Sequence, residues 1–392
     1  MKSPCPKKDV CGSCGWSHIE YDKQLEQKLS DINGSFKLNG LDLKCTEIIA
    51  SPQTEHYRNR MDFVIDFEGR VGLREKGKWW RVIDNHTCFI ADERIEALFK
   101  IVRDWTKTAG LSFYDRKAYT GLLRYAVIRT TCKGESMINI VTSPPSDDEQ
   151  GFHFIADPQK IETSEKIEKI YQALNKLAEN AKPTTLVWSI HHTISDVSYG
   201  DEIHTISGPG HIDEVIEGFT YRISPDAFFQ TNSHAAAALM NTVLEFAGDL
   251  SKKTILDLYC GSGFFSIALT GKAKRTIGIE MVPEMIRDAR INAKLNKVQV
   301  DYHDTKTEAF DWLKIGADVV IIDPPRAGMH HKVLKDIIEA KPPAVIYVSC
   351  NYKNFTREMV KLNEHYRITA IRAIDMFPHT PHVELVTKLE RK

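Results

Sequence analysis

Long apolar runs are missing from this 392-residue sequence: none approaches the roughly 20 residues that a helix needs to cross a bilayer. The start, MKSPCPKKDV, has lysines but no apolar stretch after them, so no secretory signal is predicted. Net charge is small, at −1, and gives no overall indication of a nucleic-acid partner. Internal repeats and low-complexity tracts are also absent. These absences favour a soluble globular protein without a membrane partner, which we expect in the cytoplasm.

Cysteine is sparse, with eight residues, and without an export signal we expect thiols, metal ligands or catalytic groups rather than disulfides. Three of them, Cys5, Cys11 and Cys14, lie close together in CPKKDVCGSCGW, and Cys88 in DNHTCF is the candidate fourth member. Four such thiols could hold zinc or an iron–sulfur cluster, and their spacing does not decide between them. The C-x3-C-x2-C spacing of radical enzymes is absent, which argues against radical chemistry.

Three regions of the chain differ in pattern. Residues 1–45 contain four cysteines, three of them within residues 5–14, and a helical stretch, YDKQLEQKLSDI. Residues 46–222 contain short alternating segments such as MDFVIDF and SMINIVTS with one long helix, which is typical of an α+β domain. Residues 223–392 alternate strands and helices, which predicts an α/β fold with a parallel, doubly wound sheet.

A glycine turn, DLYCGSG at residues 257–263, connects the first strand of the third region to its helix. Such a turn lets a ligand approach the backbone and the unpaired N–H groups of the helix. The nicotinamide fingerprint fails here because Ser266 stands at its third glycine position. Glu280 ends the next strand, where a carboxylate can accept hydrogen bonds from ribose hydroxyls. The pattern therefore predicts a site for an adenosine cofactor.

Two further strands end in polar groups. IIDPPRAG places Asp323 before two prolines, which cannot continue a sheet, and AVIYVSC ends at Cys350. A free cysteine is usually a buried packing residue, but ligands bind beyond the carboxyl ends of parallel strands. Arg326 replaces the aromatic residue expected in an amine methyltransferase. The position of Cys350 therefore favours a catalytic role.

The motifs DLYCGSG, DPPRAG, SCNYKNF and DMFPHTPHVELV together resemble the RNA 5-methyluridine methyltransferases. The segment SPDAFFQTN also resembles the one with which that family enters its cofactor domain. The resemblance extends over nearly the whole chain and implies a Rossmann-like class I S-adenosylmethionine methyltransferase domain at residues 223–392. It implies S-adenosyl-L-methionine as cofactor, with contacts at Gln230, Tyr259, Glu280 and Asp323.

The same resemblance implies that Cys350 is the nucleophile and Glu384 the general base. The chemistry suits these groups, because a thiolate that adds to carbon 6 of uracil makes carbon 5 nucleophilic toward a methyl group. A carboxylate can then remove the proton from carbon 5. We expect a helix N-terminus to lower the pKa of Cys350, and the target uridine to be flipped or unstacked.

Family members with this cysteine set carry a [4Fe-4S] cluster, so the resemblance implies such a cluster on Cys5, Cys11, Cys14 and Cys88. His18 and His86 are rival ligands. The region 46–222 is then the central RNA-binding domain. Residues 56–130 support this, since they contain 15 Lys and Arg against 10 Asp and Glu, together with tyrosines and tryptophans that include Trp79 and Trp80.

The RNA substrate depends on less direct reasoning. Several family members begin with a small β-barrel ahead of the cysteines, which is not expected in this chain. We expect 23S ribosomal RNA over transfer RNA, because short cluster-bearing members include ribosomal enzymes. The alternatives are methylation of uridine 54 in transfer RNA, cytosine-5 methylation, and a metal-stabilised RNA-binding protein with an inactive methyltransferase domain. A monomer is expected.

Overall fold

The computed structural model describes residues 3–86, 88–145 and 165–392. Within these ranges, no helix is long and apolar enough to cross a membrane. The elements of the first half are, in chain order, α1 (Tyr21–Leu38), β1 (Ile48–Ile49), β2 (Arg60–Ile65), β3 (Val71–Glu75), β4 (Lys78–Asp84), α2 (Glu93–Thr108), β5 (Leu123–Thr130), β6 (Ser136–Thr142), α3 (Glu165–Ala181), β7 (Thr185–Ile190) and β8 (Glu202–Ser207).

The second half begins with a hairpin and continues with alternating strands and helices. Its elements are β9 (Ile212–Ile216), β10 (Phe219–Ile223), α4 (Ser233–Ala247), β11 (Thr254–Leu258), α5 (Phe264–Thr270), β12 (Arg275–Glu280), α6 (Pro283–Leu295), β13 (Asp301–Asp304), β14 (Val319–Ile322), α7 (His331–Ala340), β15 (Ala344–Ser349), α8 (Tyr352–Leu362), β16 (Tyr366–Ile374) and β17 (Glu384–Arg391). A 3-10 turn spans Trp312–Ile315.

A seven-stranded sheet in the order β4-β3-β2-β5-β6-β7-β8 forms the central part of the chain. Its neighbouring strands are antiparallel except for β6 and β7, and α3 lies in the connection between those two. The apolar faces of α2 and α3 share one core with the sheet, where Phe99 and Leu174 are buried. Asp92 caps α2 by accepting a hydrogen bond from the backbone N–H of Arg94 at 2.8 Å. The predicted α+β architecture is confirmed.

An eight-stranded sheet in the order β1-β16-β17-β15-β14-β11-β12-β13 forms the C-terminal part. The strands β13, β12, β11, β14 and β15 are parallel, as predicted. The prediction is wrong for β17, which is antiparallel to both β15 and β16. Only residues 375–383 connect β16 to β17, whereas a parallel connection needs about a dozen residues or more.

Elements before residue 223 also contact the C-terminal sheet. Strand β1 pairs with β16, and Phe36 of α1 packs edge-on against Phe355 of α8 with 6.3 Å between ring centroids. The hairpin β9–β10 is tied to α6, because Asn296 Oδ1 accepts a hydrogen bond from the backbone N–H of Thr220 at 2.8 Å. The sequence pattern placed β1 and this hairpin with the central domain. In the structure β1 joins the C-terminal sheet, and the hairpin bonds both to α6 and, through Asp213 and Glu214, to residues 132–135 of the central part.

The order of the parallel strands determines where a ligand can bind. The chain runs outward from β11 to β12 and β13, then returns to the other side of β11 as β14. The connections leave in opposite directions at the carboxyl ends of β11 and β14, which opens a crevice there. Strands β12 and β15 end at the same edge of the sheet.

Candidate active site

A cavity of about 940 Å³ opens at the carboxyl edge of the parallel sheet. It lies between this edge and the central domain. Its lining includes all six catalytic and cofactor-binding residues predicted from the sequence, namely Gln230, Tyr259, Glu280, Asp323, Cys350 and Glu384. The fold thus brings together groups from the ends of four strands, from the first residue of β17 and from one loop.

The sheet register places Cys350 opposite Glu384. At the end of β15, the last residue paired with β17 is Ser349, which lies opposite Leu385. Continuing this antiparallel register by one residue pairs Cys350 with Glu384, and side chains in such positions have Cβ atoms about 4.5–5.5 Å apart. Beyond the strand, Asn351 begins α8 by accepting a hydrogen bond from the backbone N–H of Lys353 at 3.2 Å. The thiol and the carboxyl group therefore face the same cavity.

Burial, together with the negative charges of Glu384 and Asp323, raises the pKa of the Cys350 thiol to about 12. The positive charge of Arg326 acts in the opposite direction but does not outweigh these effects. The expectation of a lowered pKa is therefore wrong for the ligand-free site. Two neighbouring carboxyl groups and low solvent exposure prevail over the N-terminus of α8.

The two carboxyl groups of the cavity hold protons more tightly than usual. Burial raises the pKa of Glu384 to about 8, with the charge of Asp323 as a second cause. Burial alone raises the pKa of Asp323 to about 7. Within the described ranges, no side chain or backbone group donates a hydrogen bond to Glu384. A carboxyl group that titrates near neutral pH is suited to accept a proton from a substrate.

Glu280 organises the cofactor side of the cavity. Its Oε2 accepts a hydrogen bond from the backbone N–H of Gly261 at 3.1 Å, which ties the glycine turn to the end of β12. Its Oε1 accepts hydrogen bonds from the N–H groups of Met281 and Val282 at 2.7 and 2.9 Å. The carboxylate thus orders both turns while one edge of it lines the cavity.

The glycine turn itself is sterically restricted. Gly263 has φ of 88°, and a Cβ at this position would lie 2.5 Å from the Tyr302 hydroxyl, so no other residue fits without rearrangement. Tyr259 also has positive φ, at 62°, which turns its ring out of the sheet. Its hydroxyl accepts a hydrogen bond from the backbone N–H of His330 at 3.4 Å. The turn and the start of α7 are thereby held together beside the cavity.

Gln230 lies on a loop that the central domain holds in place. Asn59 Nδ2 donates a hydrogen bond to the carbonyl oxygen of Gln230 at 3.1 Å, and the buried guanidinium of Arg129 donates to that of Phe229 at 2.9 Å. The side chain of Gln230 remains available to the cavity. The cofactor side of the site therefore depends on contacts between the two domains.

Several lining residues were not identified as functional from the sequence, among them Phe228, Arg326 and His382. A guanidinium nitrogen of Arg326 lies 3.4 Å from Nδ1 of His382. Its carbonyl oxygen accepts hydrogen bonds from the side chains of Asn351 and Asn354 at 3.1 and 2.9 Å. The departure of Arg326 from the amine methyltransferase motif was the available signal that this position supplies a charge.

The four N-terminal thiols predicted as metal ligands come together in the structure. Cys5, Cys11, Cys14 and Cys88 are all buried and none forms a disulfide. Cys14 is hydrogen-bonded to Cys88, which lowers the pKa of Cys88 to about 7. Cys5 also bonds to Cys14, and its sulfur lies 3.8 Å from Nε2 of His86. A cluster of four thiols is the donor set that soft metals prefer.

Two observations bear on what these thiols could hold. Among the described residues, no group of three or more Cys, His, Asp or Glu side chains has the arrangement of a bound metal ion. Of the rival ligands, His18 is exposed, whereas His86 is buried beside Cys5. Gly12, Ser13 and Cys88 also line the large cavity, so the cysteine segment forms part of its wall.

The hairpin β3–β4 carries an exposed aromatic pair next to this segment. Trp79 and Trp80 are 52% and 48% exposed and meet edge-to-face, with 5.8 Å between ring centroids. The turn of the hairpin is bonded to the cysteine segment, because the backbone N–H of Lys76 donates to the carbonyl oxygen of Val10 at 2.8 Å. Another hairpin residue, Leu73, lines the cavity.

Comparison with known proteins gives relatives over the full length of the chain. Residues 212–392 match the family model described as tRNA (uracil-5-)-methyltransferase. A tRNA (uracil(54)-C(5))-methyltransferase of Pyrococcus horikoshii is 37% identical over 380 residues, which cover 97% of this chain and 83% of that protein. An uncharacterized RNA methyltransferase of Caldanaerobacter subterraneus is 35% identical, with 100% of this chain and 85% of that protein covered.

A solved structure agrees with these matches. The Pyrococcus abyssi tRNA (uracil-54, C5)-methyltransferase in complex with S-adenosyl-L-homocysteine superposes with a TM-score of 0.77 and 32% identity, covering 99% of this chain and 87% of that one. The resemblance inferred from the motifs and the Rossmann-like fold are thereby confirmed. The chain belongs to the family of S-adenosylmethionine-dependent RNA uracil-5 methyltransferases.

Proposed function

We propose that this enzyme methylates carbon 5 of uridine 54 in transfer RNA. The observation that carries the reaction is that Cys350 and Glu384, at adjoining ends of the antiparallel strands β15 and β17, line one cavity together with the glycine turn. The transfer RNA substrate is supported by the two Pyrococcus proteins, whose names specify uracil 54. It replaces the ribosomal substrate expected from the sequence, which no relative named above supports.

Cys350 acts as the nucleophile in this proposal. Its sulfur adds to carbon 6 of the uracil, and the electron pair of the ring double bond moves toward carbon 5. S-adenosylmethionine supplies an electrophilic methyl group on a positively charged sulfonium, and carbon 5 takes that methyl group. Glu384 then removes the proton from carbon 5, the double bond re-forms, and the bond from carbon 6 to sulfur breaks. The thiolate is thereby regenerated.

The charges of the cavity determine when Cys350 can ionise. Between ionised Asp323 and Glu384, the thiol keeps its proton, since its pKa is about 12. A positive charge bound beside these carboxylates favours the thiolate, and Arg326 contributes a second one from the protein. We therefore expect Cys350 to form a reactive thiolate only once a positively charged ligand occupies the cavity.

The cofactor is proposed to contact Gln230, Tyr259, Glu280 and Asp323. Glu280 ends β12, the position from which a carboxylate reaches ribose hydroxyls. The exposed Met281 and the partly buried Met285 line the same side of the cavity and offer apolar surface to an adenine ring.

RNA is proposed to lie along the central domain, residues 46–222, and to place its target base in the cavity. Trp79 and Trp80 are exposed on the hairpin next to the cavity wall, where bases can stack. Lys76, which forms no ion pair with any described residue, and Lys78 suit contacts with phosphates. The base has to leave its stack to reach Cys350.

A [4Fe-4S] cluster on Cys5, Cys11, Cys14 and Cys88 is the proposed content of the N-terminal site. The fit rests on four buried thiols without disulfides, of which Cys5 and Cys88 are both hydrogen-bonded to Cys14. Such a cluster would fix the segment of residues 3–18 against the central domain. No step of the methyl transfer is assigned to it.

The decisive experiment uses transfer RNA with 5-fluorouridine at position 54, because fluorine cannot leave as a proton does. Enzyme, S-adenosylmethionine and this RNA are mixed, denatured and analysed by peptide mass spectrometry. We expect a methylated adduct on Cys350 that is lost in Cys350→Ala and kept in Cys132→Ala, a control at an exposed thiol. An adduct only with ribosomal RNA would overturn the substrate, and no adduct with any RNA would overturn the mechanism.

A further inference from the structure

We propose that helix α1 positions the general base through the loop of residues 375–383, with Gln24 as the main positioning residue. The inference rests on the proposed function, since it assumes that Glu384 removes the proton from carbon 5. It adds a role for a helix that lies outside both the cavity and the cysteine set. Gln24 acts through the loop and does not touch the reacting atoms.

The loop leads directly into Glu384, at the point where the chain re-enters the sheet. Strand β16 ends at Ile374, and β17 begins with Glu384, which is paired with Ile374 across the two strands. Among the described residues, no hydrogen-bond donor reaches the Glu384 carboxyl group. Because no such partner fixes the side chain, its position follows from the backbone that leads into it.

The middle of the loop is held by Gln24. His379 has φ of 65°, a left-handed conformation that residues other than glycine rarely adopt. Gln24 Oε1 accepts a hydrogen bond from the backbone N–H of His379 at 2.7 Å, and Gln24 Nε2 lies 3.1 Å from its Nδ1. The carbonyl oxygen of His379 accepts a further hydrogen bond from the backbone N–H of Trp16 at 3.0 Å. Hydrogen bonds to both its N–H group and its carbonyl oxygen thus stabilise the left-handed backbone of His379.

The start of the loop is held one helical turn further along α1. Lys28 Nζ donates to Asp375 Oδ1 at 2.6 Å and to the carbonyl oxygen of Phe377 at 3.1 Å. The side chains of Lys28 and Asp375 are both 0% exposed. Tyr21 donates from its hydroxyl to Asp375 Oδ2 at 2.9 Å. One face of α1 therefore contacts the loop at both Asp375 and His379.

The side chains of α1 that form these hydrogen bonds do not line the cavity and do not contact the substrate. Each bond connects α1 or the segment before it to the loop. Buried side chains that are hydrogen-bonded to a loop in this way restrict the loop to one conformation. A small displacement of a catalytic group is sufficient to reduce a rate by about 100-fold. Loosening the loop should therefore affect the step that Glu384 performs, and leave the addition of Cys350 and the methyl transfer nearly unchanged.

Gln24→Ala tests this separation of steps. With RNA tritiated at carbon 5 of the target uridine, tritium release should fall about 10-fold to 100-fold. With 5-fluorouridine RNA, where no base is required, the rate of adduct formation should stay within about twofold of wild type. Normal RNA should accumulate as a methylated covalent complex with the variant. Equal loss of tritium release and adduct formation would overturn the proposal.

Two further variants make the result interpretable. Gln27→Ala is the matched control, because Gln27 is an exposed glutamine on the same helix whose side chain, among the described residues, bonds only to Asp31 at 2.7 Å, and both rates should stay at wild-type values. Tyr21→Phe removes a single hydroxyl of α1 that donates to Asp375 in the loop and should reproduce the effect of Gln24→Ala at smaller amplitude, even if Gln24→Ala fails to fold. Unchanged tritium release in Tyr21→Phe and Gln24→Ala would contradict the inference. Absence of an adduct in the wild type would instead refute the proposed function itself.

Discussion

Replacing Glu384 with glutamine is expected to make the Cys350 thiol more acidic. Glu384 is the first charged group, after burial, that raises the pKa of Cys350 to about 12. Glutamine has nearly the same shape but no charge, so the thiolate loses a repulsive neighbour. The effect requires an ionised Glu384 in the wild type, and burial raises the pKa of that group to about 8. The difference should therefore be small at pH 7 and full at pH 9.

The size of the effect follows from the distance between the two groups. Two unit charges about 5 Å apart repel by about 3 kcal/mol at an effective dielectric constant of about 20. Since about 1.4 kcal/mol corresponds to a factor of ten, the thiolate population could rise about 100-fold. Water in the open cavity screens part of this repulsion, so we expect a rise of at least about 10-fold at pH 9.

Alkylation of Cys350 by iodoacetamide, followed by peptide mass spectrometry between pH 6 and 10, measures this population. The exposed Cys132 in the same sample serves as an internal reference. Glu364→Gln, the same substitution on the surface of the same domain, is the matched control and should leave the rate unchanged. An equal or slower rate in Glu384→Gln at pH 9 would refute the electrostatic reasoning.

Two other outcomes are expected. Trp79→Ala or Trp80→Ala should weaken transfer RNA binding about tenfold each through lost stacking, with cofactor affinity unchanged in calorimetry; wild-type RNA affinity in both variants would remove the hairpin from the RNA surface. Cys14→Ser should lower iron and sulfide per chain, measured after anaerobic purification, whereas Cys132→Ser should not, since Cys132 is exposed and lies apart from the four buried thiols. Equal iron and sulfide in both variants would contradict the proposed cluster.

The motifs of the C-terminal domain could be read from the sequence because each belongs to one strand end. A strand followed by a glycine turn, by Asp-Pro-Pro or by Ser-Cys-Asn places its polar group at the same edge of a parallel sheet. Glu280, Asp323 and Cys350, found in this way, line one cavity with Gln230, Tyr259 and Glu384, which the family resemblance implied. The direction of β17 was missed, since an antiparallel last strand depends on the length of its connection and on pairing between distant segments.

The ionisation state of Cys350 could also not be predicted from the sequence. A helix N-terminus next to Cys350 is visible in the local pattern, but the burial of the thiol and its proximity to Glu384 and Asp323 are not. The roles of Gln24 and Lys28 are equally hidden, because both lie on an ordinary amphipathic helix far from the loop in the chain. Long-range contacts of this kind are formed only by packing.

The sequence by itself determined which strand ends carry polar groups, because backbone periodicity and turn chemistry are local properties. It also indicated the four N-terminal thiols as a candidate set. The tertiary structure decided that Cys350 and Glu384 line one cavity, that burial and the neighbouring carboxyl groups raise the pKa of the thiol, and that α1 contacts the loop before Glu384. These depend on sheet register, burial and charge proximity between residues far apart in the chain.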